Sequence, residues 1–280
     1  MVEEKEKKFT EKLLNTSRSN RSLLCVGLDP DPELMPEVKP LEFNQAIIDA
    51  TSDLVCAYKL NLAFYEAMGA KGVTLMTKTI DYIPQHIPVI GDGKRGDVGN
   101  TARFYAQALF STLGFDAATV NPFLGHDSIE PFINYKDKGV FILALTSNPG
   151  ASDFQRILCA GTLLYDLVAQ KVKQWNIYGN VGVVVGANYI GEIKRIRSIC
   201  FNMPLLIPGV GTQGGSLASA VKYGVDARGE NAIITISRQI IYASKEKKDF
   251  ARAARDMAEK TRNEINAYIA SREKAVWPPI

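Results

Sequence analysis

The sequence predicts an α/β protein built as a single (β/α)8 barrel over residues 1–280, with an extra helix before the first strand. Three observations lead there. Short apolar runs alternate with longer amphipathic stretches along the whole chain, with no composition break or low-complexity linker between them. The alternation gives eight strand–helix pairs, whereas a doubly wound open sheet usually stops at about five or six strands. Most of the apolar runs are continuous and not alternating, as parallel strands covered on both faces require.

The elements follow in order. VEEKEKK near the start mixes acid and base without an apolar core, so it does not read as a signal peptide. The extra helix is expected at roughly 4–16, covering the barrel bottom. LLCVGL (23–28) is the first strand and runs into Asp29; FNQAIIDATSDLV (43–55) then has helical spacing. CAYKLN (56–61) ends on Lys59 and Asn61, and IPVIGDGK (87–94) ends on Asp92 and Lys94, before the helical TARFYAQALFSTLG (101–114). AATVNP (117–122) and VFILALT (140–146) are strands four and five. SNPGASDFQRILCA (147–160) is the longest loop candidate, and GTLLYDLVAQKVKQW (161–175) the helix after it. VGVVVG (181–186), PLLIPGV (204–210) and AIITIS (232–237) complete the strands, the last leading into Ser237 and Arg238. The segment 247–272 is the clearest amphipathic helix in the chain.

Composition narrows the function. A hydrophobic share of 46% supports a sizeable core, and 22% charged residues exclude a disordered reading. The net charge of +3 comes from interspersed Lys, Arg, Asp and Glu, without the basic tract that nucleic acid would call for. No apolar run approaches the roughly 20 residues of a membrane span. Four scattered cysteines (Cys25, Cys56, Cys159, Cys200) without CxxC pairs point to reduced thiols and a cytoplasmic setting.

In such a barrel the chemistry gathers at the C-terminal strand ends. Asp92 and Lys94, two residues apart, are expected on one face of the third strand, and Lys59 and Asn61 likewise on the second. The mouth would then collect Lys59, Asp92 and Lys94, with Asp97 beyond the strand end. Two readings stand: a buried ion-pair lattice that closes the barrel top, or charges built for chemistry. Desolvation costs several kcal/mol per ion, which favours the second. GVGTQGG (209–215) satisfies GxGxxG, and Glu230 lies near the spacing of a dinucleotide-binding acid. Because it follows the seventh strand, it fits a phosphate site better, with Arg238 as a forked donor; a plain glycine turn beside a surface arginine is the bland alternative. His86 and His126 lack a second histidine at ligand spacing, Ser147 has no histidine partner, and Cys25 and Cys56 read as core.

GDGKRGDVGNT resembles the DxKxxD signature of the orotidine 5′-monophosphate decarboxylase family. LLCVGLDPDPELMP, AYKLNLAFYEAMGAKG, LALTSNPGASDFQ, IPGVGTQGG and ISR fit its other motifs in order, and NPFLGHDSIEPF resembles its larger, bacterial-type branch. The resemblance implies conversion of orotidine 5′-monophosphate (OMP) to uridine 5′-monophosphate (UMP) and carbon dioxide in de novo pyrimidine biosynthesis, with neither metal nor cofactor. It implies that Lys94 protonates C6, that Asp92 sits beside the departing carboxylate, and that Lys59 lies on its other side. Asp29 and Lys59 would bind the ribose, with Asn61 nearby. Ser147 would meet the pyrimidine edge, and Gln213 and Arg238 the phosphate. Asp97 and Thr101 would enter the neighbouring subunit's site, making a homodimer with shared sites. Gly91 and Gly93 depart from the family's usual residues around the aspartate. Two rivals have distinct marks. A magnesium-dependent sugar-phosphate lyase of the same superfamily would need an acid where Lys59 stands, and a non-catalytic nucleotide-binding barrel would be expected to lack part of the charged tetrad.

Overall fold

The computed structural model describes residues 8–211 and 214–271. Eight parallel strands close into a barrel: β1 (Leu24–Gly27), β2 (Ala57–Asn61), β3 (Val89–Arg95), β4 (Ala117–Val120), β5 (Gly139–Leu145), β6 (Val181–Val185), β7 (Leu205–Pro208) and β8 (Ala232–Ile236). Each pairs with its sequence neighbours, and β1 closes on β8 through Leu24↔Ile234 and Val26↔Ile236. The continuous apolar runs are explained by burial on both faces. On β2, Tyr58 and Leu60 pack outward under the helices while Ala57 and Lys59 face the interior.

Beneath the mouth the interior is filled by an apolar plug of Cys25, Ala57, Ile90, Ala117, Phe141, Val184, Leu206 and Ile233, of which Val184 and Leu206 reach the cavity above. The N-terminal helix, Phe9–Ser19, seals it from below, a few residues later than the expected 4–16, of which 4–7 lie outside the described residues. Phe9 meets Phe141 edge-on at 5.7 Å and sits where a Cβ on Gly139 would stand, 2.4 Å from its ring. Lys12 pairs with Asp116 at 2.8 Å, and Arg18 pairs with buried Glu230 at 2.7 Å. Glu230, just before β8, is therefore committed at the barrel bottom, at the far end from Gly209 and Gly211 beyond β7, and the dinucleotide-binding reading loses its acid.

The last helix, Phe250–Ala270, buries Phe250, Ala254, Ala258, Thr261, Ile265 and Ile269, the stripe that a 3.6-residue period dictates. The helix expected over 101–114 is an α-helix at Gly99–Gln107 that widens into a π-helical turn at Ala108–Thr112. The segment expected as a loop at 147–160 is more ordered than that. It holds a short helix, Ala151–Phe154, and one strand of a two-stranded ribbon, Leu158–Cys159 against Thr162–Leu163. Among the described residues, no helix is long and apolar enough to cross a membrane.

Candidate active site

A cavity of about 510 Å³ opens at the C-terminal ends of the strands. Its floor is built from β2, β3 and β4. Register places Lys59 opposite Ile90 and Asn61 opposite Asp92, so both charged side chains rise from the topmost interior layer. Asp92 is the hub. Its Oδ2 accepts from Lys59 Nζ at 2.9 Å, and its Oδ1 accepts from Lys94 Nζ at 2.7 Å and from the Thr119 hydroxyl at 2.8 Å. Burial pushes the Asp92 carboxyl up, but Lys59 and Lys94 outweigh it and hold the group below the usual carboxylate range. Burial pushes Lys59 down, and Asp29 and Asp92 together more than reverse this, keeping its ammonium charged above the ordinary lysine range. Lys59 is 6% exposed at its side chain and Lys94 is 46% exposed, so one lysine is enclosed at the cavity floor and the other reaches into the open cavity.

Asp92 and Lys94 do meet, but not by simple strand alternation. The β3–β4 ladder runs through Gly91↔Ala118, slips, and resumes at Arg95↔Val120, and Lys94 has φ of 46°. Such a left-handed residue is rare outside glycine, and here the Lys94 N–H is taken by Thr119 Oγ1 at 2.9 Å. Thr119 was not a candidate from sequence, because a threonine inside AATV looks like any β-former. The two glycines also find a reason. A Cβ on Gly91 would stand 3.0 Å from the Phe115 ring, and one on Gly93 would stand 2.4 Å from Leu62 Cδ1, a side chain that is itself buried.

Around this floor the other candidates fall as follows. Asp29, after β1, is buried and accepts the Asn61 N–H at 2.9 Å through Oδ1. Asn61 lines the cavity, and its side-chain oxygen caps the short helix Leu62–Glu66 by accepting the Ala63 N–H at 3.2 Å. Ser147 lines the wall after β5, where Asn188 Nδ2 donates to its carbonyl at 3.0 Å. Arg238 opens the short helix Arg238–Ile241 at the far wall, beside Gly209 and Ser237. Gln213 lies outside the described residues. Gly209 and Gly211, with φ of 96° and 77°, turn the chain into the loop beyond β7 as only glycine does readily. Asp97 and Thr101 are apart from this group. Asp97 accepts its neighbour Val98's N–H at 2.7 Å, Thr101 is exposed on the helix Gly99–Gln107, and neither lines the cavity. Of the histidines, His86 is exposed, and His126 packs on Trp175 with ring centres 5.2 Å apart. Among the described residues, no group of three or more His, Cys, Asp or Glu is placed to hold a metal ion.

A closed parallel barrel whose mouth clamps one carboxylate between two lysines defines a barrel enzyme with a charge-built site for an anionic substrate. Comparison with known proteins places it further. The chain belongs to the orotidine 5′-phosphate decarboxylase / HUMPS family, whose model matches residues 22–254. It is 50% identical over 266 residues to orotidine 5′-phosphate decarboxylase of Dehalococcoides mccartyi, covering 93% of this chain and 98% of that protein. It is 49% identical over 259 residues to the enzyme of the same name from Herpetosiphon aurantiacus, covering 90% and 95%. Among solved structures, the OMP decarboxylase of Leishmania donovani matches with a TM-score of 0.82 at 36% identity, covering 93% of this chain and 98% of that one.

Proposed function

We propose that this chain is a carboxy-lyase that converts OMP to UMP and carbon dioxide, drawing its catalytic charge from side chains and not from a metal ion. The observation that carries the reading is the Lys59–Asp92–Lys94 array at the floor of the cavity. When the C6–carboxylate bond breaks, its electron pair stays on C6, where no ring carbonyl is placed to take it up as an enolate. The site must therefore supply positive charge and a proton at that carbon. Lys94 reaches the open cavity as an ammonium, donates its proton to C6, and regains one from water. Asp92 stands beside the departing carboxylate and aims Lys94, while Lys59 keeps Asp92 ionised from beneath. Preorganised groups of this kind are worth roughly 3–4 kcal/mol each, and they act without reorganising.

The rest of the cavity suits the rest of the nucleotide. Its volume lies within the roughly 300–1,000 Å³ of small-molecule sites. Asp29, Lys59 and Asn61 would take the ribose and Ser147 the pyrimidine edge. Arg238 with Gln213 would take the phosphate, whose binding energy is available to exclude water. The same reading assigns Asp97 and Thr101 to a partner subunit's site in a homodimer, which is supported by their position outside this chain's own cavity. It treats residues 1–280 as one barrel unit and, with all four cysteines free, sets the reaction in the reducing cytoplasm.

The test is turnover of OMP, followed as a fall in absorbance, in the presence of a chelator. Undiminished turnover is the expected result. No turnover, or turnover only with added magnesium, would overturn the proposal and favour the metal-dependent side of the family.

A further inference from the structure

One side chain at Asp92 is neither charged nor part of the DxKxxD signature. Thr119, in β4, is 1% exposed and lines the cavity floor. We propose that Thr119 is a positioning residue for the decarboxylation, its single hydroxyl fixing both the main chain of Lys94 and the carboxylate of Asp92. The inference rests on the proposed function and deepens it.

The register shows why such a residue is needed. Between the pairs Gly91↔Ala118 and Arg95↔Val120, the three β3 residues Asp92, Gly93 and Lys94 stand opposite Thr119 alone. Three residues against one is a bulge, and a bulge leaves main-chain groups of the longer strand without ladder partners. The Lys94 N–H is such a group, and it finds Thr119 Oγ1 at 2.9 Å. The hydroxyl's own hydrogen goes to Asp92 Oδ1 at 2.8 Å, the same oxygen that receives Lys94 Nζ at 2.7 Å.

The donor and acceptor count closes in one direction only. An ionised carboxylate accepts and never donates, so the hydroxyl must give its hydrogen to Asp92 and keep its lone pairs for the Lys94 N–H. The result is a ring: Lys94 main chain, Thr119 hydroxyl, Asp92 carboxylate, Lys94 ammonium. Two points of that ring belong to Lys94, so Thr119 sets the origin of the lysine side chain and the carboxylate sets its tip. The φ of 46° at Lys94 is thus held by a bond. Aim matters here, because misplacing a reacting group by about 1 Å costs about 100-fold in rate.

Valine copies the shape and strand preference of threonine without the hydroxyl; serine keeps the hydroxyl and loses a methyl. Wild type, Thr119→Val and Thr119→Ser are compared for kcat and KM with OMP, for UMP affinity and for thermal unfolding. Thr119→Val should lower kcat about 10- to 100-fold with KM and UMP affinity within about threefold, and Thr119→Ser should recover most of the loss. Wild-type kcat in Thr119→Val, a Thr119→Ser as slow as Thr119→Val, or a loss confined to KM would each overturn the role. If Thr119→Val does not fold, Thr119→Ala takes its place under the same criteria. A wild type that leaves OMP unchanged refutes the proposed function; an active wild type with an indifferent Thr119→Val refutes only the role of Thr119.

Discussion

Replacing Asp92 with asparagine keeps the shape of the side chain and removes the charge that both lysines lean on. Two contacts are weakened, of unequal worth. The Lys94 contact, at 2.7 Å, involves an ammonium 46% exposed, so solvent screening limits it to about 0–1 kcal/mol of stability. The Lys59 contact, at 2.9 Å between side chains 6% and 11% exposed, is a buried pair. Breaking one such pair by removing a partner costs about 3–5 kcal/mol, because a charge is left uncompensated. Asp29 also favours the charged form of Lys59, which places the expected loss toward the lower end, about 3 kcal/mol at pH 7. The pH dependence has a defined sign. The folded Asp92 carboxyl is held below the unfolded value, so its contribution is present above about pH 4 and fades as pH falls below it. Urea unfolding of wild type and Asp92→Asn should therefore differ by about 3 kcal/mol at pH 7, with the gap closing below about pH 4. Turnover should fall at least about 100-fold, since Lys94 loses its aim. Equal stability at pH 7, or a gap that widens in acid, would refute the assignment of Asp92 as the ionised hub.

Other expectations follow from the same geometry. If the proposed homodimer shares its sites, mixing Lys94→Ala with Asp97→Asn protein under subunit exchange should restore activity to roughly a quarter of wild-type sites, because one of the two sites in each mixed dimer carries both intact groups; no recovery would count against a shared site. Burial pushes the Cys25 thiol up to about 12 and that of Cys200 to about 11, and Cys56 is raised as well, so a thiol reagent at pH 8 should label native protein at exposed Cys159 and reach all four cysteines only after denaturation. Labelling of Cys25 or Cys56 in the native state would contradict the sealed barrel interior. Phe9→Ala removes the ring that plugs the barrel against Phe141 and should cost about 3–5 kcal/mol in urea unfolding; a loss under about 1 kcal/mol would mean the N-terminal helix is not part of the core.

The barrel was legible because parallel strands buried on both faces write themselves as unbroken apolar runs, and Val181–Val185 and Ala232–Ile236 lie where those runs predict. The charge array was legible for the complementary reason: Lys59 and Asp92 interrupt such runs at the expensive end, where only a partner makes a charge tolerable. Thr119 was not legible, because a β-branched residue in a strand is what propensity expects, and its role depends on a bulge in the neighbouring strand. The same bulge makes Lys94 meet Asp92 by a left-handed residue, which strand alternation does not predict. Gly91 and Gly93 make sense only against Phe115 and Leu62, contacts across elements that no local pattern reveals. The ribbon at Leu158–Cys159 and Thr162–Leu163 leaves no mark in the sequence because two-residue strands carry no period.

In the proposed reaction Lys94 is the source of the proton at C6. Lys94→Ala, an exposed side chain cut back from the cavity wall, should fold and bind UMP while losing turnover of OMP by more than about 1,000-fold against wild type assayed beside it in chelator. A Lys94→Ala protein that decarboxylates OMP within about tenfold of wild type would contradict the account at its centre.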